Sequence, residues 1–224
     1  MSKKFWIAVA VVVLVLIGIF AFTSGGSNNT NSNKLTPTEN IEGEGKDGVK
    51  LVEYGDFQCP YCGEYYSTVK QVTSMYNTQI TFQFRNFPLP TIHPNAFAAA
   101  RAAEAAALMG KFWQMHDLLY EQSLENINSS GAIASWVGAS NPEPVFISDA
   151  KSLGLNTQKF QQLYASDQVN NLVVADENAG NALGIDATPT FYLDGKQIQV
   201  GNSVQAFETQ INAAIAQKTK TAKS

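Results

Sequence analysis

The sequence predicts an α/β domain that is interrupted by a helical insertion and set behind one N-terminal transmembrane helix. Three observations lead there. A β-prone segment, a helical repeat and a second alternating segment follow one another between Val49 and Phe87. Residues 95–184 then contain no convincing strand, and an uncharged apolar run precedes everything else.

That run comes first in the chain. After Lys3 and Lys4, the residues from Phe5 to Phe22 carry no charge. As a helix rising about 1.5 Å per residue they span about 27 Å, close to the roughly 30 Å of a bilayer's hydrocarbon core. A cleaved signal peptide is the alternative, but its apolar region is usually about 7–15 residues long and ends at an Ala-x-Ala-like site. Only Ala21, Phe22, Thr23 approaches that pattern. Residues 1–22 are therefore expected to be a transmembrane anchor or signal. The next basic residue after Lys4 is Lys34, so the positive-inside rule predicts a single-pass protein of the cell membrane with its globular part on the extracytoplasmic side. Residues 23–46, rich in Ser, Asn, Gly and Thr, read as a flexible linker reaching roughly 25–30 Å.

The globular domain is expected over 47–217. It opens with a strand from Val49 to Phe57 and a helix from Pro60 to about Tyr76, on which Tyr65, Val69, Val72 and Tyr76 share a face. From Gln79 to Phe87, Ile80, Phe82 and Phe84 alternate with polar residues, which is a second strand, and the order strand, helix, strand implies a parallel crossover. Within the insert, helices are expected from Asn95 to Met109, Lys111 to Gln122, Pro142 to Leu153, Thr157 to Ser166 and Gln168 to Leu183. Thr190 to Leu193 and Gln197 to Val200 flank Asp194-Gly195, a hairpin signal. A last helix from Ser203 to about Ala216 aligns Val204, Phe207, Ile211 and Ile215, and the Lys-rich tail 218–224 is expected to fray.

Composition narrows the chemistry. Net charge is −4, from 15 basic and 19 acidic residues without a basic cluster, so no nucleic-acid partner is expected. The chain has 2 cysteines, Cys59 and Cys62, spaced as Cys-x-x-Cys at the strand-to-helix junction. With Cys59 as N-cap and Pro60 as first helical residue, the unpaired amides of the first turn face the Cys59 sulfur and stabilise its thiolate, the reactive form in disulfide exchange. Cys62 lies one turn on, close enough to attack a mixed disulfide at Cys59. The other reading of such a pair is half of a zinc site. Zinc needs about two further ligands, and the only histidines, His93 and His116, match no zinc spacing, so neither metal nor cofactor is expected. On the strand, Glu53 has the parity of Phe57 and Cys59 and points inward, where burial would raise its pKa and let it relay the Cys62 proton. A solvated strand-end glutamate is the alternative. His116, on the apolar face of its helix, reads as a satisfied interior histidine. Phe57, Phe87 and Leu89 fit either an apolar client-binding surface or ordinary core.

Several separated motifs, in order, resemble the thioredoxin superfamily and, within it, the DsbA-like oxidoreductases of the membrane-anchored extracytoplasmic bacterial type. They are Phe57-Gln58-Cys59-Pro60-Tyr61-Cys62, Phe87-Pro88-Leu89, His93-Pro94, Gly110-Lys111-Phe112-Trp113 and Ala187-Thr188-Pro189-Thr190-Phe191. The resemblance implies a thioredoxin-like fold with a helical insertion. It implies that Pro189 is a cis-proline facing the cysteines, that Thr188, with Pro60 and Tyr61, meets an extended client peptide, and that Glu53 is the buried acid beneath the pair. The implied partners are exported client proteins with cysteine thiols and a quinone-linked thiol oxidase in the membrane. The implied activity is dithiol oxidation through Cys59 and Cys62. A disulfide reductase or isomerase remains an alternative, because the two residues between the cysteines tune the potential strongly. So does a tethered chaperone that uses the groove without redox turnover. Pro60-Tyr61 also matches the compact glutaredoxins, from which the insert and the anchor separate this chain.

Overall fold

The structure, a computed structural model, describes residues 35–128 and 135–222. The expected span at 1–22 and the first part of the linker lie outside them, and among the described residues no helix is long and apolar enough to cross a membrane. The described residues form one compact unit.

Five strands make one mixed sheet: β1 (Asn40–Glu42), β2 (Val49–Gly55), β3 (Ile80–Asn86), β4 (Thr190–Leu193) and β5 (Lys196–Ile198), in the order β1-β3-β2-β4-β5. β2 and β3 run parallel, joined by helix α1 (Pro60–Met75), as the strand, helix, strand order predicts. All other neighbours are antiparallel. Asp194 and Gly195 take φ 48° and 78°, the two positive values a tight hairpin of this hand requires.

Side chains alternate across the sheet, so Val49 and Leu51 of β2 face the same way as Glu53. On that face they meet Val69 and Val72 of α1, and Phe207 and Ile211 of α7 (Val204–Thr221). The insert supplies α2 (Ala96–Ala107), α3 (Phe112–Asn128), α4 (Glu143–Ser152), α5 (Thr157–Tyr164) and α6 (Asp167–Ala182), with a short 3₁₀ turn at Trp136–Gly138. Ala99, Ala102, Ala103 and Ala106 of α2 are fully buried and let neighbouring helices approach to side-chain contact with Phe112, Leu119, Phe146 and Phe160. The same cluster contains Phe57, Cys59 and Cys62, so the cysteines sit at the seam between insert and sheet. Phe57 and Phe87 are 1 % and 5 % exposed, which makes them core residues, not client surface.

Two expectations are corrected. The linker does not extend to residue 46, because β1 pairs with β3, and the amides of Glu44, Gly45, Lys46 and Asp47 bond to carbonyls of residues 77–80. Thr38 donates its N–H and its hydroxyl to Asp176, each at 2.7 Å, and Asn40 Nδ2 donates to Glu104 at 2.7 Å. Such a segment is held by backbone pairing and buried polar bonds, which leave no apolar periodicity to read. Gly43 has φ 87°, and a Cβ there would lie 2.4 Å from the Ile80 carbonyl oxygen, so this turn needs glycine. At the other end, the tail expected to fray continues as α7 to Thr221. Lys218 and Lys220 occupy its last turn, where cations suit the helix dipole, and Lys218 Nζ lies 3.2 Å from Asp194.

Candidate active site

β2 delivers the chain to the cysteines. Its last residues run into Asp56, whose side chain is fully buried and stops the strand by turning the backbone: it accepts from Gln58 N–H at 2.8 Å and Leu89 N–H at 2.9 Å, and its Oδ2 pairs with His93 Nδ1 at 2.8 Å. Cys59 then takes extended backbone angles as N-cap of α1, with Pro60 in the first helical turn. Gln58 is held on both sides. Its Oε1 accepts from Asn95 N–H at 2.7 Å and its Nε2 donates to Val137 carbonyl at 3.0 Å, while Asn95 Nδ2 donates to the Trp136 and Ala139 carbonyls. The 3₁₀ turn of the insert is thereby tied to the residue preceding the first cysteine. Sequence reasoning missed Asp56, Gln58 and Asn95. An aspartate two residues before a turn amide was the one available signal, and Asn95 could not be found locally because its partners lie about forty residues away.

Both cysteines are free thiols. Cys59 is 4 % exposed and Cys62 0 %. The Cys59 thiol is drawn down to about 6, chiefly because Cys62 donates a hydrogen bond to its sulfur. Burial opposes this, and the Thr188 side chain and the Cys62 backbone N–H add to it. Cys62 moves the other way. Burial, and then its role as donor to the Cys59 sulfur, push its thiol well up. One sulfur is thus poised as a thiolate near neutral pH and the other holds its proton. An absorbance titration of the reduced protein at 240 nm is expected to show one thiolate appearing with a midpoint near pH 6 and no second until strongly alkaline pH; two steps of ordinary thiol midpoint would contradict this asymmetry.

The Thr188-Pro189 peptide bond is cis. The loop that carries it places the Thr188 carbonyl 3.4 Å from Cys59 Sγ, which donates to it in the thiol form. Thr188 is buried beside both sulfurs. A groove of ≈ 340 Å³ runs beside this loop, bounded by Tyr61, Tyr65, Thr188, Pro189 and the 197–200 segment. Tyr61 is 66 % exposed at its edge. Pro60 is exposed but does not line the groove.

Glu53 is 3 % exposed, between Phe84 on β3 and Phe191 on β4. Burial raises its carboxyl to about 8, with the nearby Cys59 adding to the rise. The structure therefore places the expected residues Glu53, Cys59, Cys62, Thr188 and Pro189 together, with Tyr61 at the rim. Among the described residues no group of three or more His, Cys, Asp or Glu side chains is placed to hold a metal ion.

A fold of this kind, with a dithiol at a helix N-terminus opposite a cis-proline loop, defines a thioredoxin-like protein. The chain belongs to the thioredoxin family, whose model, described as Thioredoxin, matches residues 35–213. Its fold is shared by BdbD from Bacillus subtilis in its oxidised form, with a TM-score of 0.67 and 20 % identity over 81 % of this chain and 96 % of that one. Wolbachia pipientis α-DsbA1 gives a TM-score of 0.65 and 18 % identity over 86 % of this chain and 100 % of that one. MdbA, a thiol-disulfide oxidoreductase from Corynebacterium diphtheriae, gives 0.58 and 21 % identity over 83 % and 99 %. In sequence the chain is 30 % identical over 178 residues to the Na(+)/H(+) antiporter NhaA 1 of Salinispora arenicola, covering 80 % of this chain and 25 % of that protein. It is 33 % identical over 162 residues to NhaA 1 of Mycolicibacterium gilvum, covering 71 % and 24 %. The chain thus spans about a quarter of the length of these curated relatives.

Proposed function

We propose that this protein is an extracytoplasmic thiol-disulfide oxidoreductase that introduces disulfides into exported proteins through Cys59 and Cys62. The observation that carries this reading is the opposite displacement of the two thiols, one drawn down to about 6 and the other pushed up, at a cis-proline loop beside an open groove. A client lies along the Thr188-Pro189 loop, with Tyr61 at its edge. Its thiolate attacks Cys59 Sγ of the enzyme disulfide, the Cys59–Cys62 bond breaks, and the electron pair leaves on Cys62, which takes a proton from Glu53. The client's second thiolate then attacks its own sulfur in the mixed disulfide and expels Cys59 as a thiolate. The client has lost two electrons and the enzyme has gained them. A quinone-linked thiol oxidase in the membrane, near which the 1–22 anchor keeps the domain, takes them up again.

The same asymmetry supports the oxidising direction. A hydrogen-bonded Cys59 thiolate stabilises the reduced enzyme, which makes the disulfide a stronger oxidant. Equilibration with glutathione is expected to give a potential above roughly −200 mV, on the oxidising side of protein disulfide exchange. A value near about −270 mV, that of a reducing thioredoxin, assigns the protein instead to disulfide reduction.

A further inference from the structure

A rear cavity of ≈ 300 Å³, which shares no lining residue with the client groove, lies between α1, α3 and the β1 end of the sheet. Glu53 borders it, and so do Tyr120 and His116, which are 1 % and 5 % exposed. The Tyr120 hydroxyl and His116 Nε2 have no hydrogen-bond partner among the described residues. His116 is therefore only half satisfied, contrary to the sequence expectation. Its Nδ1 lies 3.1 Å from Asp117 Oδ1, so the neutral ring donates from Nδ1 and leaves Nε2 as an acceptor. Burial keeps the imidazole below its ordinary value, in the neutral form. Toward solvent, Asp117 Oδ2 pairs with Lys70 Nζ at 2.9 Å, with side chains 32 % and 52 % exposed. The titratable groups facing this space are Glu42 from β1, Glu53 from β2, Tyr66 and Lys70 from α1, and Asp117 and Tyr120 from α3.

A buried acid that serves a buried thiol must exchange protons with bulk water. Glu53 holds its proton up to about pH 8, so before it can accept from Cys62 its own proton has to leave. The client groove does not include Glu53, whereas the rear cavity does. At about 30 Å³ per molecule it has room for several waters, and a buried water needs two to four polar partners. The Glu53 carboxyl, the Tyr120 hydroxyl and His116 Nε2 supply them.

Building on the oxidoreductase reading above, we infer that the rear cavity is the proton exit of the dithiol, with His116 as the positioning and relay residue between Glu53 and solvent. During reoxidation the Cys62 thiol gives its proton to the Glu53 carboxylate, Cys62 sulfur attacks Cys59 Sγ, and the bond between Cys59 and its partner sulfur breaks with the partner leaving as a thiolate. The Glu53 proton passes through cavity water to His116 Nε2. The imidazolium so formed pairs through Nδ1–H with Asp117 and releases the proton to bulk water at the Asp117 and Lys70 mouth.

Quenched-flow oxidation of the reduced protein by oxidised glutathione separates the two steps, mixed-disulfide formation at Cys59 and closure by Cys62. In His116→Gln, which keeps polarity but not basicity, the ratio of closure rate to mixed-disulfide formation is expected to fall about tenfold, below the usual gain from a directly acting general base because the relay acts at one remove. In His116→Ala, added imidazole is expected to restore closure, and pyrazole, of the same shape but far weaker basicity, is not. Wild-type closure in the glutamine variant, or equal rescue by pyrazole, overturns the inference and leaves the oxidoreductase reading standing. Absence of any mixed disulfide in the wild type overturns that reading, and the relay with it.

Discussion

Replacing Cys59 with serine is expected to lower dithiol oxidation by on the order of 10³-fold or more; Cys62→Ser, which cannot form the enzyme disulfide, also loses dithiol oxidation, but its Cys59 thiolate still attacks client disulfides and accumulates mixed disulfides with them. The difference comes from the burial of the two sulfurs. Cys62 is completely enclosed, so a client thiolate can reach only Cys59, and a hydroxyl there neither forms the disulfide nor accepts attack. In the Cys62 variant the client stays attached, because the resolving thiol one turn along α1 is missing. The variant also removes the main donor that draws the Cys59 thiol down to about 6. Its Cys59 is therefore expected to titrate closer to an ordinary thiol unless the serine hydroxyl takes over that hydrogen bond, and comparing alkylation rates of the two proteins across pH 5–9 measures this. Non-reducing gels that show adducts with Cys59→Ser and none with Cys62→Ser would reverse the assignment of attacking and resolving thiol.

Glu53→Gln is expected to have two effects of opposite sign. Closure of the dithiol slows by roughly 100-fold, since the acid whose charge acts on the Cys62 thiol is lost. Stability at neutral and alkaline pH rises. The folded carboxyl binds its proton up to about pH 8, against an ordinary 4.5, so between those values the unfolded chain has released a proton that the native chain still holds. Unfolding then releases protons, and stability falls by about 1.4 kcal/mol for each pH unit gained across that window. At pH 7 the accumulated cost is roughly 3 kcal/mol, which glutamine relieves as far as its amide finds hydrogen-bond partners. Glu104, raised by burial to about 8, and Asp176, raised by burial, add slopes of the same sign, so part of the pH dependence persists in the variant. Urea unfolding at pH 5 and pH 8 tests this; an unchanged difference between wild type and variant at the two values would place Glu53 in water.

Much of the molecule is legible in the sequence because its determinants are local. The crossover over 49–86 follows from period-two alternation on β3 and the 3.6 repeat of α1. Asp194-Gly195 specifies its hairpin, and the Cys-Pro-Tyr-Cys run specifies an N-cap with its thiols on one face. What went unread depends on partners far along the chain. β1 has three residues and one large apolar side chain, Ile41, and it exists because β3 offers an edge and because Asp176, 138 residues from Thr38, accepts two bonds from that threonine just ahead of the strand. The linker therefore reads as coil when taken alone. His116 illustrates the same limit at the site. Its helical face predicts burial correctly, but whether its second nitrogen finds a partner depends on the shape of the space left between α1 and α3.

By itself the sequence determined that this chain carries a reactive dithiol at a strand-to-helix turn, with an acid of inward parity six residues before it and an insert between it and Pro189. These follow from spacing, which sets the face of a strand or helix a residue occupies. Only the tertiary structure decided how the two thiols differ and where protons can travel. A pKa depends on burial and on hydrogen bonds in three dimensions: Thr188, 129 residues from Cys59, reaches its sulfur, and α3 of the insert brings His116 into the cavity that Glu53 borders.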